Sequence, residues 1–131
     1  MDEDKVKKEI VAIPGVKPVK HLSRAIKFGN LVFVAGTTGR HMITGEMPED
    51  AAGQTRMVFE NIKMALEAAG TSLGNILKTT CYLADLADKP AFDEVYIDAF
   101  PVDPPARACF QVADLGAGVK VEIEAIAGIP E

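Results

Sequence analysis

The sequence predicts an α+β fold: a single-domain mixed β-sheet with two helices on one face. Three observations lead there. Two β-rich runs meet at Gly29-Asn30, two segments carry a helical period, and two more β-rich runs close the chain. Strands joined through helices, with hairpin-like pairs at both ends, fit one two-layer domain. Its 131 residues, 48% hydrophobic and 25% charged, are expected to form one unit spanning 1–131, because no repeat or linker-like composition divides them.

Each element has a local reason. Residues 1–23 read as an irregular N-terminal segment punctuated by Pro14, Gly15 and Pro18, with room for an extra strand near Glu9 to Ile13. Ala25 to Phe28 and Leu31 to Ala35 are strands joined by the Gly29-Asn30 hairpin signal. Gly36 to Pro48 is rich in turn formers and reads as a loop; without a GxxxxGK[ST] pattern it is no phosphate loop. From 50 to 69, Val58, Ile62, Ala65, Leu66 and Ala69 align in one helical stripe, and Gly70 stops it. Ile76 to Ala84 is a strand rich in β-branched and aromatic residues. In the second helix Asp88 suits the N-cap, Pro90 the first turn, and Phe92, Val95, Tyr96, Ala99 and Phe100 the core stripe. Pro101, Pro104 and Pro105 end it. Arg107 to Ala113 and Val119 to Ala127 are then expected to pair through the turn Leu115-Gly116-Ala117-Gly118. One sheet face stays uncovered in this arrangement. Placing Val32, Val34, Cys109 and Gln111 on it predicts a partner subunit there.

Composition narrows the function. A net charge of -5, two Tyr, six Phe and no Trp argue against nucleic-acid binding. No apolar run reaches the roughly 20 residues that span a bilayer, and Met1 to Lys8 alternate in charge rather than forming a signal peptide. Cys81 and Cys109 lack metal-ligand or scaffold spacing and are expected as reduced thiols in a cytoplasmic protein. Cys81 reads as a core residue. His21 and His41 have no paired spacing, so no metal is expected.

The last two strands hold the candidate chemistry. Arg107, Cys109 and Gln111 share one strand face, and Lys120, Glu122 and Glu124 the polar face of the other. If apolar meets apolar in an antiparallel pair, Arg107 and Cys109 stand beside Glu122 and Glu124. Arginine is a permanent cation whose planar fork grips a carboxylate; a nearby carboxylate can orient water. Spacing alone equally fits a cross-strand ion pair on a solvated face, worth about 0–1 kcal/mol.

Several segments resemble the RidA (YjgF) family of reactive-intermediate deaminases. They are Gly29 to Gly36, Thr44-Gly45-Glu46, Gln54-Thr55-Arg56, Glu60 to Lys63, Glu67 to Gly70, Ile76 to Asp85, Pro105 to Cys109 and Val121 to Ala127. They run in colinear order from about Ala25 to Ala127. The resemblance implies a chorismate-mutase-like fold, a homotrimer around a central barrel, and clefts between subunits. It implies hydrolysis of 2-imino or enamine acids to 2-oxo acids and ammonia, without cofactor or metal. Arg107 then matches the residue that grips the substrate carboxylate and Glu122 the one that places the attacking water. Cys109 and the Gly36 amide line the cleft.

The chain departs from that family pattern at Leu22, where many members have tyrosine, at Ala35 in place of serine, and at Asp93 in place of asparagine. Thr37-Thr38-Gly39 also replaces a Gln-Ile-Pro-like stretch. The expected function is an imine/enamine deaminase acting through Arg107 and Glu122. The alternative is a non-enzymatic trimer that binds small carboxylates or serves a chaperone-like or regulatory role.

Overall fold

In the computed structural model, which describes residues 5–131, the chain runs β1 (Lys8–Ile10), β2 (Ala25–Phe28), β3 (Leu31–Thr38), α1 (Ala51–Ala69), β4 (Ile76–Leu83), α2 (Lys89–Ala99), β5 (Ala106–Gln111) and β6 (Val121–Gly128). Residues 1–4 of the expected irregular segment lie outside the described residues. The strands form one mixed sheet in the order β1-β2-β3-β6-β4-β5, and both helices cover one face. The β2–β3 hairpin turns at Gly29, whose φ of 63° suits a residue without Cβ.

The stripe expected on α1 is the stripe that packs: Val58, Ile62 and Leu66 are fully buried. Gly70, at φ 90°, closes the helix in a Schellman arrangement, with its N–H donating to Glu67 O and that of Thr71 to Leu66 O. Helix α2 is anchored by Phe92 and Tyr96, which join Phe59 and Phe100 in edge-on and tilted ring pairs with centroids 4.9–5.8 Å apart. Each such pair adds about 0.5–1.5 kcal/mol beyond simple burial. Asp88 stands at the N-cap without a side-chain cap bond; Asp85 instead accepts from Ala87 N in the preceding 3₁₀ turn.

Three expectations change. The strand near the N-terminus is shorter than Glu9 to Ile13, and β3 continues three residues into the expected Gly36–Pro48 loop. It does so across a register shift between Val34 and Thr37. The last two strands do not pair with each other. β6 lies between β3 and β4, antiparallel to both, while β5 is the outer neighbour of β4 and parallel to it. The physical reason is the α2 crossover: a helix returning from β4 sets the next strand parallel to it. The apolar residues of β6 are buried along its whole length, as suits a central strand.

Faces change accordingly. Arg107 stands beside Thr79 and Cys109 beside Cys81, on the helix-covered face, whereas Glu122 and Glu124 stand beside Tyr82 and Thr80 on the uncovered one. Arg107 and Cys109 therefore do not share a face with Glu122 and Glu124. Val32 and Val34 also turn inward, at 0% and 5% exposure; Phe33, Phe110 and Ile126 occupy the uncovered face in their place.

Candidate functional site

Two clusters of side chains result. The first lies where β5 meets α2. Pro104 and Pro105 deliver the chain to the edge strand, and Arg107 points back under α2. Its guanidinium carbon sits 4.8 Å from the Tyr96 ring centroid and 5.9 Å from that of Phe92. Its Nη1 donates to Asp93 Oδ1 at 2.7 Å, while Lys89 Nζ donates to Asp93 Oδ2 at 2.8 Å. Lys89 and Asp93 are i, i+4 on α2, so the helix itself builds half of this trio. Among the described residues no hydrogen bond occupies Arg107 Nε or Nη2.

Electrostatics follow from the packing. Burial opposes ionisation of Asp93, but the hydrogen bonds and charges of Lys89 and Arg107 outweigh it and hold the carboxyl below its ordinary value. Burial likewise opposes the charge on Arg107, and Asp93 more than restores it. Cys109 sits beside this trio, yet its thiol is pushed up by burial against the pull of Arg107 and Lys89. An activated thiolate is not what the geometry makes. Cys81 is fully buried and its thiol is pushed up to about 12, so it is a core residue as expected.

The second cluster gathers around the β3 irregularity. Gly36 faces Glu122 so closely that a Cβ there would overlap the Glu122 carboxylate. Burial, then the neighbouring Glu124, raise the Glu122 pKa above its ordinary value. Glu124 accepts a hydrogen bond from the Tyr82 hydroxyl, whose pKa is thereby pushed up to about 12. A small hollow of about 40 Å³ is lined in part by Leu22, Arg24, Ala35, Gly36 and Thr37. Asn61 closes its inner end: its amide donates to Thr38 O and Arg40 O, and its Oδ1 accepts from Met42 N.

The structure thus brings Arg107, Asp93 and Cys109 together, and separately Leu22, Ala35, Gly36 and Glu122. Within one chain the two groups stand on opposite sheet faces. Lys89, Tyr96 and Asn61 were absent from the sequence-based site. Only Lys89 carried a local signal, its i, i+4 spacing to Asp93.

Fold and site define a class: a one-domain α+β protein with an anion-holding arginine at a sheet edge and a partly buried carboxylate on its uncovered face. The endoribonuclease L-PSP family profile matches residues 12–129. A RutC family protein of Pyrococcus horikoshii is 46% identical over 112 residues, covering 85% of this chain and 89% of that protein. The 2-iminobutanoate/2-iminopropanoate deaminase of Escherichia coli is 40% identical over 108 residues, covering 79% and 84%. The crystal structure of E. coli TdcF with bound serine superposes with a TM-score of 0.83 at 38% identity, covering 93% of this chain and 98% of that one. The chain belongs to this family, which includes the RidA (YjgF) proteins.

Proposed function

We propose that this protein is an imine/enamine deaminase, hydrolysing 2-imino acids and their enamine tautomers to 2-oxo acids and ammonia. The observation that carries the reading is Arg107: one edge of its fork is held by Asp93, and the other has no hydrogen-bond partner among the described residues. A substrate carboxylate takes that free edge in a bidentate pair. An imine carbon is already electrophilic, so holding the acid and directing one water at that carbon suffices. Glu122 accepts a proton from this water as it attacks; C–N cleavage then releases ammonia and leaves the 2-oxo acid. Cys109, Gly36, Ala35 and Leu22 line the cleft, and no cofactor or metal is needed.

Because Arg107 and Glu122 face opposite sides of one sheet, the complete site forms between chains. We infer a homotrimer whose uncovered faces close a central barrel, with the β5 edge of one chain against Glu122 of its neighbour. The exposed Phe33 and Phe110 on that face support burial by a neighbour. A cytoplasmic location accords with this reading, and among the described residues no helix is long and apolar enough to cross a membrane. The test is ammonia release from imino acids generated in situ by an amino-acid oxidase or a threonine dehydratase, with semicarbazide trapping of surviving imine. The wild type is expected to accelerate imine loss and Arg107→Ala to abolish that acceleration. Activity that survives the substitution would overturn the assigned mechanism.

A further inference from the structure

We propose that the site takes 2-imino monocarboxylates with uncharged side chains and rejects those carrying a second carboxylate, and that Asp93 makes this choice. The inference rests on the deaminase reading and adds its substrate class. Lys89, Asp93 and Arg107 are joined through both Asp93 oxygens, at 2.8 and 2.7 Å. Two cations and one anion leave a single positive charge. One substrate carboxylate on the free edge of Arg107 neutralises it; a second leaves the pocket negative. The pocket is partly shielded, with the Arg107 and Asp93 side chains 26% and 29% exposed. In such surroundings an unbalanced charge is felt more strongly than in water.

Nothing else around the trio supplies a compensating cation. Cys81, Cys109 and Tyr96, the other titratable groups coupled to Arg107, have their pKa values raised, chiefly by burial, and stay neutral. Glu122, which the deaminase reading brings in from the neighbouring chain, is itself acidic. The ring faces of Tyr96 and Phe92 beside the guanidinium suit an apolar substrate side chain.

The experiment is calorimetric binding of two product-like 2-oxo acids, 2-oxobutyrate and 2-oxoglutarate, to wild type, Asp93→Asn and Lys89→Gln. In Asp93→Asn the amide oxygen still accepts the Arg107 hydrogen bond, while the negative charge is removed. Wild type is expected to bind 2-oxobutyrate at least about tenfold more tightly than 2-oxoglutarate, and Asp93→Asn to reduce that ratio by about tenfold. Lys89→Gln shifts the balance the other way, weakening both ligands and 2-oxoglutarate more. Asp93→Ser serves as a second neutral variant if the first unfolds. Measurable binding with a ratio that the neutral variant leaves unchanged overturns this inference alone. No binding of either ligand by folded wild type overturns the carboxylate clamp, and the inference with it.

Discussion

Replacing Gln54 by Leu tests how the fold holds the Glu122 strand in place. Gln54 lies on α1 with no exposed surface, yet its side chain makes three hydrogen bonds. Its Nε2 donates to Pro48 O at 3.0 Å and to Gly118 O at 2.8 Å, and its Oε1 accepts from Lys120 N at 2.8 Å. The last two bonds clamp the approach to β6 just ahead of Glu122. Leucine keeps the volume and removes all three bonds, so the half-buried Lys120 N–H loses its partner. At about 1 kcal/mol per bond, the expected loss is about 3 kcal/mol. For a chain of this length that lowers the melting temperature by about 10 °C. Calorimetric melting measures it, and kcat of the folded variant reports whether the Glu122 strand has moved. A drop of less than about 3 °C would refute the clamp, since only bonds of negligible net worth give so little.

Gly36→Ala is expected to cost under about 1 kcal/mol of stability. Its φ is not left-handed, and the atom in its way is the mobile end of Glu122. Moving that carboxylate by about 1 Å is expected to cost about 100-fold in deamination rate, read as kcat against melting temperature on one preparation. The pH profile should lose activity as pH falls through a Glu122 pKa above 4.5, because a protonated carboxyl cannot accept the water proton. Glu124→Gln removes the second cause of that shift and should move the acid limb down without restoring the ordinary value, since burial is the larger cause. The linkage has the same sign: a carboxyl with its folded pKa raised favours the folded state as pH falls and opposes it above that pKa. Glu122→Gln should therefore raise the melting temperature at neutral pH while abolishing turnover.

Much of the helical layer was legible because its signals are local. The stripe from Val58 to Ala69, the Gly70 stop and the Phe92-Tyr96-Phe100 spacing all follow from a period the chain carries within one element. Gln54 and Asn61 were legible in part. Gln54 lies i−4 from Val58 and Asn61 i+3 from it, on the same stripe, but a count of apolar residues passes over polar ones that find partners inside. The neighbour of β6 was not legible. Its alternation of Val121, Ile123, Ala125 and Ala127 fixes which face turns inward but not which strands flank it. That choice is made by long-range pairing with β3 and β4 and by the α2 crossover. Arg107 and Glu122 were therefore assigned to the site from their residue types and local alternation, while their separation across the sheet required the topology.

That separation makes the central claim testable without a structure of the assembly. Arg107→Ala and Glu122→Ala chains, each inactive alone, would be co-expressed, and mixed oligomers isolated through two affinity tags. If the site forms between neighbouring chains, about a quarter of the sites in a random one-to-one mixture regain both residues, and that fraction of wild-type imine hydrolysis should return. Mixed oligomers that stay inactive, while wild-type oligomers handled identically are active, would contradict the account: Arg107 and Glu122 would then not complete one site from two chains.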